Sequence, residues 1–305
     1  YLYRMTYNIK EDNADTTKKA VVPKGAEVLL ESRYPYLDDS QIRYILYSTA
    51  VSSGYSVLDD AEGWGRLNLF EAANGYGAFD TNVTVNMDAS KGGFNVADNW
   101  KNDISGTGSL TKEGSGMLVL SGNNSYTGNT IVDGGSIRAD YASAFGNSSI
   151  VNNSVINENT DDTLIINGNY KQNKSGVLEL TISNENDYVD ITGNAELGGK
   201  LVLNFKDYIP STDAEIIKCA SVASQFDEIE INAPEGFEGK IAYNDNGVDL
   251  VFSQKTDNNT AQNEISSPQT GDTSHVVMAF TAFVLSLAGI LTASFASKIK
   301  SDRIR

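Results

Sequence analysis

The residue types that most often carry out catalysis are scarce in this chain. His275 is the only histidine and Cys219 the only cysteine among 305 residues. A Ser-His-Asp triad uses a histidine as its general base, and protein zinc sites are built largely from histidine and cysteine ligands. Residues 1–274 therefore exclude both kinds of site, and no disulfide can form within the chain. In the stretch Ile216–Ala220, Cys219 is expected to be a small buried residue of a strand rather than a reactive thiol.

Carboxylates are the remaining candidates for chemistry, because the chain contains 40 Asp and Glu residues. The adjacent aspartates at 59–60 and at 161–162 could act as an acid–base pair, but solvated turns are the simpler interpretation. Asp187 and Asp190 could give oxygen ligands to calcium, although no EF-hand or Gly-Gly-x-Gly-x-Asp spacing surrounds them. We predict no catalytic residue, no metal site and no cofactor for the residues present.

The charge balance excludes one large class of partner. The formal net charge is −17 and the pI is near 4.4. Nucleic-acid binding needs clustered Lys and Arg residues, so no nucleic-acid partner is predicted. An acidic surface of this kind keeps an exported protein soluble.

The first part of the chain, residues 1–82, is predicted to be a small α-rich segment. Asp38 and Gln41 have the spacing of a capping box. Apolar residues then follow at helical spacing over 42–50, and Gly54 suits the end of the helix.

A second, shorter helix is predicted over residues 67–75. Aromatic residues flank it, including Trp64 and Tyr76. These two side chains could form a platform for a sugar ring, but packing in a core is the favoured interpretation.

From residue 83 to residue 253 the sequence changes to short apolar alternations separated by Gly, Asn, Asp and Ser. Alternation with a period of two is typical of strands that bury one face. Short strands with repeated corners predict a parallel β-helix, in which each turn buries its face on the next. A β-sandwich is the alternative interpretation. The fold class is therefore mainly β, with the solenoid favoured.

Residues 106–139 closely resemble the autotransporter-associated β-strand repeat. The matching elements are Gly106–Lys112, Gly116–Leu120 and Gly122–Thr130, which read Gly-x-Gly-x-Leu-x-Lys, Gly-x-Leu-x-Leu and Gly-x-Asn-x-Tyr-x-Gly-x-Thr. The resemblance covers about one repeat and implies a β-helical stalk.

The last part of the chain is predicted to meet a membrane. Residues 254–266 are polar and are expected to form a linker. The following apolar run, 276–297, contains no charged residue and is long enough to span a bilayer. Basic residues follow it, which favours a cytoplasmic end by the positive-inside rule. A single C-terminal transmembrane helix is therefore predicted, with the preceding chain exported.

Residues 267–305 together resemble a Gram-positive cell-wall sorting signal. The recognition pentapeptide is Ser267, Pro268, Gln269, Thr270 and Gly271, with Ser267 where the family most often has Leu. The resemblance implies recognition by a sortase, cleavage after Thr270, and a covalent bond from Thr270 to peptidoglycan in the cell wall. An ordinary single-pass anchor is the alternative.

Segments within the first 80 residues are similar to the C-terminal extension of secreted PAP2-type (class A acid) phosphatases. These segments are Val22–Glu27, Ser32–Leu37, Ser53–Tyr55, Gly63–Phe70 and Ala72–Phe79. The catalytic motifs of that family are absent, so no catalytic residue is carried over. The chain is expected to be a fragment whose missing N-terminal domain holds them.

Two functions follow from these patterns. In the first, a cell-wall-anchored β-helical stalk displays an N-terminal PAP2-type phosphatase that releases phosphate from monoesters. In the second, the protein is a non-enzymatic surface adhesin. For the residues present, display without catalysis is predicted.

Overall fold

The computed structural model describes four stretches of the chain, residues 24–51, 64–206, 208–235 and 237–254. The chain divides into two compact units, 1–255 and 256–305, and every described residue belongs to the first. The predicted span at 276–297 lies outside the described residues. In the described part, no helix is both long and apolar enough to cross a membrane.

Three helices open the described part, α1 (Lys24–Arg33), α2 (Asp39–Ser48) and α3 (Leu69–Ala72). Short 3-10 helices cover Ala89–Lys91 and Gly93–Asn95. The first nine strands are β1 (Ala78–Phe79), β2 (Val83–Asn86), β3 (Ala97–Trp100), β4 (Ser105–Gly106), β5 (Leu110–Glu113), β6 (Met117–Leu120), β7 (Thr130–Val132), β8 (Ser136–Ala139) and β9 (Ile150–Asn152). The remaining described strands are β10 (Val155–Glu158), β11 (Leu164–Ile166), β12 (Tyr170–Gln172), β13 (Val177–Ile182), β14 (Val189–Glu196), β15 (Lys200–Phe205), β16 (Ala214–Val222), β17 (Glu228–Asn232), β18 (Phe237–Asn244) and β19 (Gly247–Gln254).

Helix α2 begins at the predicted capping box. The Asp38 side chain accepts a hydrogen bond from the Gln41 backbone N–H at 2.8 Å, and the Gln41 side chain accepts one from the Asp38 N–H at 3.0 Å. These bonds satisfy donors that a helix start otherwise leaves unpaired. The helix is amphipathic and buries Ile42, Ile45 and Leu46.

The strands form a parallel solenoid with two long sheets. One sheet has seven strands in the order β17-β15-β13-β10-β8-β6-β3, and the other has ten, running from β2 to the β18–β19 hairpin. Successive strands of a sheet come from successive turns of the chain, and the pairing is parallel from β2 to β17. The solenoid has about six turns.

The repeat length is read directly from the pairing register. Leu110 pairs with Thr130, Thr130 with Ile150, and Ile150 with Tyr170, so these turns are 20 residues long. Toward the C-terminus the turns lengthen, because Lys200 pairs with Glu228, 28 residues later. The strands themselves are longer there, since β15 has six residues and β16 nine, against four in β8 and three in β9.

The core consists of inward-facing columns that run along the solenoid axis. In the seven-stranded sheet, one column is at most 1% exposed and contains Leu118, Ile137, Ile156, Leu178 and Leu201. Full burial of each such side chain contributes roughly 1.5–3 kcal/mol. Each turn depends on its neighbours for this burial, since a single turn has no core of its own.

Successive turns approach so closely at one corner that only glycine fits. Gly135 has φ +59°, and a Cβ atom placed there would lie 2.1 Å from the Gly116 carbonyl oxygen. The same corner one turn earlier is equally tight, because a Cβ at Gly116 would lie 2.0 Å from the Asn95 oxygen. Glycine meets both demands, a left-handed backbone and a missing side chain.

The two described ends of the solenoid are built differently. At the N-terminal end, the Tyr34 hydroxyl joins α1 to α3 by donating to the Ala72 carbonyl at 2.7 Å, and Arg33 at the end of α1 pairs with Asp98 of β3 in the first turn. At the C-terminal end, β19 pairs antiparallel with β16 and with β18, which covers the ten-stranded sheet. Strand β17 is left as the edge of the seven-stranded sheet.

The predicted mainly-β solenoid is confirmed and the β-sandwich alternative is wrong, because the strands pair in parallel with their counterparts one turn away. The capping-box helix is confirmed as well. It ends at Ser48, and Gly54, predicted as its stop, lies outside the described residues. The second predicted helix is much shorter than 67–75 and contains only Leu69–Ala72.

Substitution of the corner glycine tests the role of close turn-to-turn contact. Gly135→Ala is expected to lower the free energy of unfolding by roughly 2–5 kcal/mol, since it adds steric overlap to left-handed strain. Gly93→Ala is the matched control. Gly93 has nearly the same φ, +57°, but no atom within 4 Å of the added Cβ, so its cost should be roughly 1–2 kcal/mol. Equal losses in urea unfolding would contradict the steric explanation.

Candidate functional site

A line of polar residues lies inside the solenoid at the corner between the two sheets. We call Lys112, Val132, Asn152 and Gln172 the corner column, because they occupy matching register positions on β5, β7, β9 and β12. All four are at most 3% exposed. Three of them are polar, and a buried polar group is stable only where it is hydrogen-bonded.

The polar members of the corner column bond backbone carbonyls of the turning chain. The Lys112 Nζ donates to the carbonyls of Glu113 at 2.7 Å and Gly134 at 3.2 Å. The Gln172 Nε2 donates to three more, the nearest at Gly198, 2.7 Å away. Some of these carbonyls, such as those of Glu113 and Gly176, also accept a backbone N–H from a neighbouring turn. The column therefore adds side-chain donors to the backbone hydrogen bonds between turns.

Burial lowers the pKa of Lys112 to about 8, while the neighbouring Glu113 carboxylate acts in the opposite direction. The amine is enclosed by neutral carbonyl groups rather than by an acid in direct contact. Its described contacts are all with backbone of its own and the next turn. This arrangement holds the repeat together and leaves no open face for a substrate.

A buried carboxylate lies on the other sheet. Glu158 is 3% exposed and occupies the inward position of β10 next to Ala139 of β8. Its Oε1 accepts from the Thr160 N–H at 2.6 Å and the Thr160 hydroxyl at 2.8 Å, and its Oε2 accepts from the Thr181 N–H at 3.1 Å. Burial raises its pKa to about 7, against these hydrogen bonds, which lower it.

The aspartates considered as calcium ligands have separate roles. Asp187 closes a turn, with its Oδ2 accepting from the Ser183 N–H at 2.5 Å and the Asn184 N–H at 3.0 Å. Asp190 lies 3.7 Å from the Lys218 ammonium. In the described ranges, no group of three or more His, Cys, Asp or Glu side chains is placed to hold a metal ion.

The other sequence candidates are also used structurally. The Asp162 carboxylate accepts from the Thr163 N–H at 2.8 Å, which is a turn contact. Cys219 is 5% exposed in β16, and burial raises the pKa of its thiol, as expected for a packed strand residue. The aspartates at 59–60, the pentapeptide 267–271 and His275 lie outside the described residues.

Trp64 and Tyr76 do not form a common platform. Trp64 stacks on Tyr47, with 5.1 Å between ring centroids and 7° between planes. Tyr76 is fully buried and packs on Phe79 and Trp100 at 5.3 and 5.2 Å. The packing interpretation therefore holds for Tyr76, and the sugar platform predicted as its alternative is not assembled from this pair.

A buried ion pair joins the helices to the first turn of the solenoid. The Arg33 Nη1 lies 2.5 Å from the Asp98 carboxylate on β3, which is almost fully buried. The Tyr36 hydroxyl donates to the same carboxylate, and the Trp100 Nε1 donates to Tyr36 at 3.1 Å. Removal of one partner from such a pair leaves a buried charge, which is strongly destabilising.

An open cleft of about 390 Å³ lies beside this junction. Glu71, Lys101 and Asp103 line it with mixed charge. The amide of the buried Asn102, also in its wall, donates to the carbonyls of Glu71 and Gly75 at 2.8 and 2.9 Å. The cleft thus shows structural hydrogen bonding and no nucleophile with an activating base.

Sequence reasoning did not identify the corner column or Glu158. A signal was present in both cases. Lys112 is two residues after Leu110, and Glu158 two residues after Ile156, so strand alternation puts each on the buried face. A charged residue two positions from a buried apolar residue of the same strand is therefore the sequence pattern that indicates a buried charge.

The comparisons with known proteins agree on the repeat. Residues 110–139 match the family model described as Passenger-associated-transport-repeat. The chain is 35% identical over 194 residues to the Neisserial autotransporter lipoprotein NalP of Neisseria meningitidis serogroup B, covering 61% of this chain and 17% of NalP.

Two further relatives are similar over shorter stretches. An extracellular serine protease of Serratia marcescens is 31% identical over 160 residues, which is 42% of this chain and 15% of the protease. The adhesin BmaC autotransporter of Brucella suis is 51% identical over 47 residues, which is 15% of this chain and 1% of the adhesin. The chain thus spans less than a fifth of the length of each relative.

The predicted PAP2-type phosphatase relationship is wrong. The findings are autotransporter relatives and a passenger repeat, with nothing pointing to a phosphatase. The physical reason is the structural role of residues in the resembling segments. Tyr36 bonds Asp98, and Tyr34 and Tyr76 are packed in the core. These residues are explained by attachment of the helices to the solenoid.

The predicted Gram-positive cell wall, sortase and peptidoglycan partners are also wrong. Two of the relatives are named as autotransporters, and all three come from Gram-negative bacteria. An apolar run followed by basic residues shows only hydropathy and charge, and the pentapeptide 267–271 departs from the usual form of the signal at Ser267. These features do not establish a Gram-positive envelope, so the inference drawn from residues 267–305 went too far.

The buried carboxylate predicts a specific pH dependence. The folded pKa of Glu158, about 7, lies above its ordinary 4.5. The folded state therefore holds more protons than the unfolded state between these values, and stability falls as pH rises from 4.5 to 7. Glu158→Gln should remove this loss, gaining roughly 1–3 kcal/mol on wild type between pH 4.5 and 7.5 in urea unfolding. The outward-facing Glu179→Gln is the control, and an equal gain there would contradict the assignment.

The buried amine predicts the opposite slope at higher pH. The folded pKa of Lys112, about 8, lies below its ordinary 10.5. The unfolded state then binds more protons between these values, so wild type gains stability as pH rises from 8 to 10.5. Compared with Lys112→Met, wild type should gain roughly 1–3 kcal/mol over that interval. The exposed Lys171→Met is the control. A pH-independent difference between wild type and Lys112→Met would contradict burial of the amine.

Proposed function

We propose that this chain is a passenger-like segment displayed outside a bacterial cell, and that it acts there as a non-enzymatic adhesin. The observation that carries the proposal is the parallel solenoid of 20-residue turns that contains the passenger repeat at 110–139. A solenoid grows in length by adding turns and so presents long flanks for contact.

The distribution of reactive groups supports binding rather than catalysis. No histidine precedes His275, which leaves residues 1–274 without the base of a Ser-His-Asp triad. The buried Lys112 and Glu158 are enclosed by hydrogen bonds that hold turns together.

The flanks of the solenoid carry regular polar ladders suited to contact. At one corner, the Asn153 amide donates to Asp133 at 2.6 Å and the Asn173 amide donates to Asn153 at 2.5 Å. These side chains repeat at the same register on successive turns, so they form a continuous polar strip. Because the net charge is −17, the favoured partner is a neutral or basic surface rather than an acidic one.

Binding of the purified chain to a defined surface tests this function. The full chain, labelled with a fluorophore, is applied to immobilised proteins of basic, neutral and acidic net charge. Binding should saturate, be displaced by unlabelled chain, and be lost when the chain is unfolded by urea. Hydrolysis of phosphate monoester and peptide substrates should stay at the buffer rate.

Two results would count against the proposal. Binding that rises linearly with chain concentration on every surface, and that unlabelled chain does not displace, would contradict the adhesin role. Hydrolysis that co-purifies with the chain and follows its concentration would establish an enzyme. The test uses the full 305-residue chain.

A further inference from the structure

Strand β17 ends the seven-stranded sheet with one side open. It stands last in the order of that sheet, and among the described strands it pairs with β15 alone. The pairing is parallel and unbroken, from Lys200 opposite Glu228 to Asn204 opposite Asn232. The ten-stranded sheet ends instead in antiparallel pairing with the β18–β19 hairpin. Strand β17 therefore ends its sheet in the orientation that a further parallel strand would continue.

The open side of β17 presents unpaired backbone groups at two residues. In a parallel ladder, alternate residues of a strand bond to the same neighbour. The Glu228 N–H donates to the Gly199 carbonyl at 3.0 Å, so the backbone groups of Glu228 and Glu230 face β15. The backbone groups of Ile229 and Ile231 consequently face the open side. A row of such groups is a template for pairing with another strand.

The inner face of β17 continues the buried columns of the sheet. Ile229 is in register with Leu201, and Ile231 with Leu203. Both leucines are fully buried, but Ile229 is 39% exposed. Position explains the difference, because β15 has a paired strand on each side and β17 on one side only among the described strands. A strand with apolar residues at the matching positions would bury Ile229 as the neighbouring turns bury Leu201.

The outer face of β17 is acidic. Glu228 and Glu230 are both exposed. The Lys200 ammonium, one turn earlier, lies 2.7 Å from a carboxylate oxygen of each. One lysine is thus shared between two carboxylates. A basic side chain on a strand added to the open side would repeat this pairing and balance the remaining negative charge.

We propose that the open edge of β17 binds an extended basic segment of a partner protein by strand addition. The segment would pair through its backbone with Ile229 and Ile231, and place lysine or arginine beside Glu228 and Glu230. In complexes of this kind, backbone hydrogen bonds give affinity and the alternating side chains give specificity. The site is at the end of the solenoid rather than on its flanks, and it does not depend on the adhesin role.

A second copy of the chain does not suit this edge. Pairing of β17 with β17 would bring the exposed Glu228 and Glu230 of one copy against those of the other, and like charges opposite one another on a sheet are destabilising. The segment Glu228–Asn232 contains no proline, and its pairing with β15 shows no bulge. The backbone is therefore suited to strand addition, while the carboxylates select a basic partner.

Titration of the full chain with a short labelled peptide tests the site. The probe is fluorescein-labelled Gly-Lys-Ile-Lys-Ile-Asn-Gly, and its binding is followed by fluorescence anisotropy. One control peptide, Gly-Glu-Ile-Glu-Ile-Asn-Gly, reverses the charge. The other, Gly-Lys-Lys-Ile-Ile-Asn-Gly, keeps the composition and breaks the alternation. The probe should bind saturably and each control roughly tenfold more weakly. No saturable binding, or equal binding of the probe and the Lys-Lys-Ile-Ile peptide, would overturn the proposal.

Variants of the chain locate the binding. Glu228→Gln/Glu230→Gln should raise the Kd of the probe roughly tenfold, because it removes both acidic partners and leaves the Lys200 charge. Glu185→Gln/Glu215→Gln is the matched control, since it neutralises two exposed glutamates outside β17. This control should leave the Kd unchanged. Equal weakening by the two double variants would show attraction to overall negative charge and contradict the site.

Amide hydrogen exchange separates strand addition from looser contact. With the probe at saturation, exchange at Ile229 and Ile231 should slow roughly tenfold or more, because their N–H groups gain partners. The Glu230 amide, which already faces β15, is the internal reference and should change less. Bound probe with no added protection at the two isoleucines would overturn the proposal. A wild-type dimer in light scattering that Ile229→Pro converts to a monomer would assign the edge to a second copy and also overturn it.

Discussion

Backbone contact between successive turns is the constraint on which this structure depends. Each strand pairs in parallel with its counterpart about 20 residues later, so every turn must bring its corners into register with the previous turn. At the tightest corner the approach leaves no room for a Cβ, as at Gly116 and Gly135. The high glycine content of the repeat is therefore a steric requirement of stacking rather than a sign of a flexible linker.

Stacking also places backbone polar groups in the interior, and the buried polar residues give them hydrogen-bond partners. Several backbone carbonyl groups at the corners lie within reach of buried side chains. Lys112 and Gln172 reach them with side-chain donors, and Glu158 accepts from backbone N–H groups at the opposite sheet. Charged groups buried for this purpose have shifted pKa values. A shifted pKa often signals catalysis, but here each group is enclosed by its own structural partners.

The ends of the solenoid need separate solutions, because a parallel stack always leaves exposed strand edges. The helices cover the first turn and are attached through the buried Arg33–Asp98 pair. The β18–β19 hairpin covers one sheet at the other end by switching to antiparallel pairing.

The sequence by itself determined the solenoid, because period-two alternation, recurring glycines and the repeat at 106–139 are local patterns that specify a repeating unit. It also determined the α2 start through Asp38 and Gln41, and the exclusion of histidine chemistry before residue 275. Only the tertiary structure decided the roles of Lys112, Glu158 and Asp98, since each depends on partners at least 20 residues away or on the neighbouring turn. Family assignment from short segments failed for a related reason. Tyr34 and Tyr36 lie in one of the resembling segments and Tyr76 in another, but their role is set by the buried surface of the first turn, which lies elsewhere in the chain.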